Sequence, residues 1–327
     1  MEKFAVFRRS EGSLSEAQPL PVQGRGCLLD TLALPMHDRT CRSVMGLLVG
    51  NRKASNRPAS RQHFGFNLNF NDVPSGNANS LHSHKELEWF VAFTGDFEIR
   101  AGVNGKSGIR LAKGDLICVP PDVNRYFRCI AGEVQLHKCA EMESAGAYCA
   151  MILTGTVGAP WVQWATDVVA AARQNGVWCS DAGILYDDAG TPPPAQEWRE
   201  VRDVSQEELE SFVHRAAGRP RVTLPQGDGD MRFEYVEVPP GADGSWLPEP
   251  GRNYVVCHME GPCLLLERGA ALPDGVGKTL QAMEVLVASK GEVGWSLRGS
   301  EGRAGASSLL FVISSSMTEA LHPTELH

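Results

Sequence analysis

Alternation of apolar and polar residues is the first pattern along the chain. Residues 63–70, "HFGFNLNF", put Phe64, Phe66, Leu68 and Phe70 on one face of a strand, and His63, Gly65, Asn67 and Asn69 on the other. The stretch 87–102 reads as a hairpin turning at Gly95-Asp96. Residues 108–130 read as two further strands with a turn at Lys113-Gly114-Asp115, and 147–155 as another apolar strand. Strand signals dominate 25–155, and many short strands with regular turns predict a sandwich or barrel.

The pattern changes over 161–218. "WVQWATDVVAAARQNG" carries apolar residues at helical spacing and ends on Asn175-Gly176, a stop signal. "SQEELESFVHRAAG" opens with Ser205 and Glu208 in capping-box spacing and stops at Gly218. These residues read as a helical connector. Strand patterns return from 230 in six segments, and 318–327 reads as a frayed tail. The expected organisation is an N-terminal β domain with an extension (1–160), a helical connector (161–222) and a C-terminal β domain (223–327).

Length and composition narrow the function classes. The chain has 327 residues, 43% hydrophobic and 21% charged, with a net charge of −8. It has no basic stripe, so nucleic acid is not an expected partner. No apolar run reaches the roughly 18–20 residues needed to span a bilayer, and "MEKFAVFRRSEGS" has no apolar leader core. A cytoplasmic protein is expected, with no membrane partner. The nine cysteines include no CxxC pair, which fits reduced thiols packed as small hydrophobes. Cys118, Cys129 and His137 are read as packing or surface residues.

Residues 76–95, "GNANSLHSHKELEWFVAFTG", hold the candidate chemistry. On a strand, residues i and i+2 share a face, so His82, His84 and Glu88 are expected to point to one side. Two imidazoles and a carboxylate form the set that non-haem iron oxygenases use. The spacing Gly76, five residues, His82, one, His84, three, Glu88, six, Gly95 resembles the first motif of the cupin superfamily. The second cupin motif is matched at Gly114 and Pro120. Asp122 then replaces a glycine, Arg125 stands where a third histidine belongs, and Cys129 replaces an asparagine.

The resemblance spans about 60–160 and 225–315. It implies a mainly β fold: two cupin (double-stranded β-helix, jelly-roll) barrels with a helical connector. It also implies a divalent metal, with Fe(II) expected and Mn, Ni or Zn as alternatives, and a homodimer. The sixty N-terminal residues are expected to add strands or to pack on a partner.

Arginine cannot ligate a cation. Arg125 is therefore read as a clamp for a substrate carboxylate or enolate, as a salt-bridge partner of Glu88, or as a surface residue. In the second case it would compete with the metal and undo the triad. Glu86 is an alternative carboxylate, and His63 a candidate replacement for the missing ligand. Asn124 and Tyr126 flank Arg125 and line either the barrel mouth or an exposed loop.

The second half keeps the frame without the ligands. Leu247, Glu249 and Tyr254 fall at ligand positions in one motif, and Met283, Ser289, Gly291 and Gly294 fall in the frame of the other. His258 reads as structural. A C-terminal barrel without metal is expected, serving stability, the dimer or a small organic ligand.

Three functions follow from the resemblance. The first is an Fe(II) dioxygenase acting on a small anionic aromatic or oxo-acid substrate, with Arg125 as the catalytic cation. The second is a redox-neutral metal-dependent isomerase, lyase or hydrolase. The third is a non-catalytic ligand-binding or structural barrel pair.

Overall fold

A computed structural model describes residues 4–7, 44–49, 64–135, 145–154, 162–174, 200–215, 231–240, 246–261, 263–267, 278–280, 284–288, 295–299 and 307–316. The chain divides into two compact units. One contains Gln18–Pro58 and Phe66–Ala217, and the other Met1–Ala17, Ala59–Gly65 and Gly218–His327.

The described strands are β1 (Phe4–Phe7), β2 (Val44–Val49), β3 (Phe66–Pro74), β4 (His82–Ser83), β5 (Leu87–Ala92), β6 (Asp96–Ala101), β7 (Ser107–Leu111), β8 (Leu116–Val119), β9 (Arg125–Ala131), β10 (Val134–Gln135), β11 (Ala145–Thr154), β12 (Gln163–Trp164) and β13 (Val213–His214) in the first half. The second half contributes β14 (Arg232–Val238), β15 (Asn253–Glu260), β16 (Cys263–Glu267), β17 (Lys278–Leu280), β18 (Val285–Ala288), β19 (Trp295–Gly299) and β20 (Ser308–Ser315). Two helices are described, α1 (Thr166–Gln174) and α2 (Gln206–Ser211).

In the first unit, one sheet runs β13-β8-β5-β11-β3-β2 with β10 added on β11, and the other runs β12-β4-β9-β6-β7. Their facing sides fuse into one core. Val73, Phe90, Ile117, Val119 and Cys149 from the first sheet meet Phe97, Ile99, Leu111, Phe127 and Cys129 from the second. Phe90 contacts Phe97 at 5.2 Å edge-on and Phe127 at 5.0 Å. This packing drives the two sheets together, each buried phenylalanine removing apolar surface worth roughly 1.5–3 kcal/mol from water.

Two expectations about connections are corrected. Residues 87–102 do not form a hairpin, because β5 lies in the first sheet and β6 in the second. The chain crosses between sheets at Gly95, whose φ is +64° and whose added Cβ would stand 2.3 Å from the Ala131 carbonyl oxygen. Residues 108–130 form three strands, β7, β8 and β9, which alternate between the sheets.

Val73 joins the inner core, and alternation puts Asn71, Asn69 and Asn67 on its side. Phe66, Leu68 and Phe70 therefore line the outer face, where Phe70 stacks on Phe93 at 5.1 Å.

The connector is less helical than its pattern predicts. Ser205 caps α2, its hydroxyl accepting from the Glu208 amide at 3.1 Å. The helix nevertheless ends at Ser211, and Val213–His214 then pairs with β8. α1 begins at Thr166, and the two residues of β12 pair with β4 instead of extending the helix. In the second unit, one sheet runs β1-β18-β15-β20-β14 and the other β17-β16-β19, with Val256, Leu286, Leu310 and Val312 packed on Cys263, Leu265 and Leu297. The N-terminal segment Phe4–Phe7 adds a strand to this unit by pairing with β18. The tail at 317–327 lies outside the described residues. No described helix is long and apolar enough to cross a membrane.

Candidate metal centre

One passage of the chain between the sheets brings the candidate side chains together. His82 sits on β4 in the second sheet and pairs in register with Arg125 on β9. Glu88 sits on β5 in the first sheet and pairs with Leu153 and Val119. His84 lies between them, where the chain passes from one sheet to the other. The expectation of one continuous strand from His82 to Glu88 is thus corrected. The side chains converge from two sheets.

One ligand atom from each of His82, His84 and Glu88 lies within 4.8 Å of the others, and all three residues are buried. The His82 Nδ1–H donates to the Ser80 carbonyl at 2.7 Å, which leaves Nε2 as the ring's lone-pair nitrogen. His84 Nδ1 stands 3.0 Å from the Glu86 carbonyl, and its Nε2 faces Glu88 Oε2 at 3.4 Å. The carbonyl contact orients the ring and leaves Nε2 facing the carboxylate across that gap. Two donors bound at about 2.1 Å to one ion stand roughly 3–3.5 Å apart. The donor set therefore fits a divalent ion, with backbone carbonyls orienting both rings as outer partners of ligating histidines do.

Arg125 sets the electrostatics. Its Nε donates to Glu88 Oε2 at 2.8 Å and its Nη1 to the Val123 carbonyl at 2.7 Å. Nη2 lies 3.1 Å from His84 Nδ1 and 3.5 Å from the Glu86 carbonyl. The pairing with Glu88, weighed above as the alternative to a substrate clamp, is the arrangement present. Burial pushes the Glu88 carboxyl up, but the Arg125 guanidinium and His84 outweigh it and hold Glu88 well below the usual carboxylate range. Burial, reinforced by Arg125, lowers His82 to about 3 and keeps it neutral.

The other candidates fall as follows. The Glu86 carboxylate lies against His84 Nδ1 at 3.3 Å, on the ring's far side, and is not part of the cluster. His63 and His137 lie outside the described residues. Asn124 is buried, its Nδ2 donating to the Val103 carbonyl at 3.1 Å. Half-buried Tyr126 lines a cavity of about 10 Å³ with Asn79, Glu88, Phe90, Arg125 and Phe127, room for roughly one water. Burial raises the Cys118 thiol to about 12 and the Cys129 thiol to about 11, so neither is a reactive thiolate.

Two neighbours escape a reading of local pattern. Trp164 packs on the His82 ring at 5.1 Å because β12 pairs with β4. Asn79 accepts from the Phe127 amide at 2.7 Å and so fixes β9 beside the site. Both depend on pairings distant in sequence.

The second unit has no comparable cluster among the described residues. The Glu249 amide donates to the Tyr254 hydroxyl at 2.7 Å, and the Glu249 carboxylate takes Arg232 at 3.1 Å. The His258 Nε2–H donates to the Glu260 carbonyl at 3.1 Å.

The motif frame is preserved in backbone conformation. Asp122, at a glycine position of the second motif, is the one described non-glycine residue with positive φ, at 58°, and its amide donates to the His84 carbonyl at 2.9 Å. The left-handed turn is kept where the glycine is lost. Two facing antiparallel sheets repeat in each unit around these turns. The fold is that of the cupins.

No family model matches the chain, and no curated protein does. Solved structures similar to it include a vicilin from Capsicum annuum, at 9% identity and TM-score 0.47 over 85% of this chain and 83% of that one. A cupin 2 conserved barrel domain protein from Leptotrichia buccalis matches at 9% and 0.44, over 85% and 89%. An oxalate decarboxylase formate complex from Lactobacillus farciminis matches at 12% and 0.43, over 78% of each.

Proposed function

We propose that the N-terminal cupin barrel holds a divalent metal ion on His82, His84 and Glu88, and that the chain is a metal-dependent enzyme for a small anionic substrate. The observation that carries this reading is the convergence of two histidines, each with Nδ1 on a backbone carbonyl, on one buried carboxylate. Fe(II) and a dioxygenase reaction are the specific form proposed, with a redox-neutral isomerase, lyase or hydrolase as the alternative reaction.

A bound ion supplies Lewis acidity and, as iron, redox chemistry with dioxygen. The chain's own residues do the remainder. Arg125 binds the anionic end of the substrate through its planar fork. Phe90 and Phe127 exclude bulk water from the cavity, and His82 stays neutral and able to ligate. Under this reading the protein works on a small molecule in the cytoplasm, as a homodimer.

A second reading is favoured by one contact. Arg125 and Glu88 already form a buried, charge-balanced pair at 2.8 Å that needs no metal. In that case the barrel binds a ligand or serves structure. Elemental analysis of protein purified without chelator separates the two. About one ion per chain, absent from His82→Ala/His84→Ala, supports the enzyme reading, and oxygen consumption then tests dioxygenation. No metal after anaerobic Fe(II) loading leaves the charge-balanced barrel.

A further inference from the structure

We infer that a metal ion and a small carboxylate anion bind the N-terminal barrel cooperatively, with Arg125 as the residue that couples them. The inference rests on the metal reading above and adds its regulation.

One oxygen atom carries the argument. Glu88 Oε2 lies 3.4 Å from His84 Nε2, the side a metal ion would occupy, and the same Oε2 accepts from Arg125 Nε at 2.8 Å. The guanidinium and a metal ion would therefore both draw on the electron density of one carboxylate. Both side chains are almost wholly buried, Arg125 at 4% and Glu88 at 7% exposure, so water does not screen the contest.

Charge counting points the same way. Glu88 and Arg125 cancel, and a ligating imidazole must be neutral. With the Glu86 carboxylate on the far side of the His84 ring counted, adding a divalent ion still leaves a net positive charge beside Phe90, Ile99, Val119 and Phe127, where an uncompensated charge is costly. An anion that engages the guanidinium reduces that charge. It also offers Arg125 two oxygens in place of the one it takes from Glu88, which frees Oε2. The cavity that adjoins both Arg125 and Glu88 has room for roughly one water, so even formate, the smallest carboxylate, enters only if the guanidinium moves. By linkage, whatever factor the anion adds to metal affinity, the metal adds to anion affinity.

The test is Mn(II) affinity of the full chain, measured by electron paramagnetic resonance of free ion, in sodium formate and in sodium chloride at equal ionic strength. His84→Ala serves as the blank. Formate is expected to tighten Mn(II) binding by roughly tenfold. Arg125→Gln is expected to bind Mn(II) more tightly than wild type without formate, and to respond little to it. The wild-type titration decides the coupling even if Arg125→Gln fails to fold.

Equal Mn(II) affinity in both salts overturns the coupling and leaves the metal site standing. Equal tightening in wild type and Arg125→Gln overturns the role of Arg125, since formate would then act on the ion alone. Absence of Mn(II), Fe(II) and Zn(II) binding in both proteins overturns the metal reading itself.

Discussion

Removing one member of a buried ion pair takes away the counter-charge of the other, whereas removing both leaves only a packing change. Glu88 and Arg125 are such a pair. In chelator-treated protein, Glu88→Gln is expected to cost about 3–5 kcal/mol, and the double variant Glu88→Gln/Arg125→Met to recover most of that loss. Urea denaturation measures both, and a double variant no more stable than the single one would contradict the pairing.

The pH dependence follows from His82. Its folded value of about 3 lies below the ordinary 6.5, so between these values the unfolded chain takes up a proton that the folded chain does not. Stability is therefore present above pH 6.5 and lost as pH falls towards 3, by up to about 1.4 kcal/mol per unit. Glu88, also held down, adds a loss of the same sign at lower pH. Urea midpoints at pH 7.5 and 5.0 should differ more in wild type than in His82→Gln. Parallel shifts would remove His82 from the account.

At the scale of elements, composition and alternation locate strands well and partner them poorly. Among the described residues from 230 onward, strands fall within the segments the pattern marks, from Arg232–Val238 to Ser308–Ser315, but the segment read as one strand after Lys278 holds two, β17 and β18, in different sheets. The hairpin at Gly95 fails because glycine marks a tight change of direction equally well in a hairpin and in a corner between sheets. What decides is the approach of the Ala131 carbonyl, which is distant in sequence. The helix after Ser205 stops early for a similar reason, since pairing of Val213 with Ile117 outweighs local helical spacing.

The site shows the same division. His82, His84 and Glu88 were legible because fixed spacing tracks the passage of the chain between the sheets. The Arg125 contact was legible only as one of two options, because a side chain's partner depends on three-dimensional distance.

Trp164 was invisible to pattern, and it tests whether the β12 segment supports the site. Trp164→Ala should cost about 3–5 kcal/mol, as large aromatic deletions from packed sites do, and Trp164→Phe should cost much less. If Trp164→Ala also weakens metal binding while Trp164→Phe retains it, the tryptophan positions His82. Unchanged metal affinity in both would confine Trp164 to packing.

For the whole molecule, the two barrels share architecture and differ in chemistry. The first has a buried His-His-Glu cluster. Among the described residues of the second, the positions that correspond carry a Tyr254–Glu249 hydrogen bond and an Arg232–Glu249 ion pair instead. This asymmetry predicts where a ligand's stabilisation will appear. A metal that binds only the folded first barrel adds RT ln(1 + [L]/Kd), about 2.7 kcal/mol at a hundredfold excess over Kd. Hydrogen exchange followed by mass spectrometry should show this protection in β4, β5 and β9, with β15, β18 and β20 unchanged. Protection that rises equally in both sets of strands would mean that the units open as one cooperative body. Protection confined to β15, β18 and β20 would place the metal in the barrel that lacks the cluster, and would overturn the assignment of His82, His84 and Glu88.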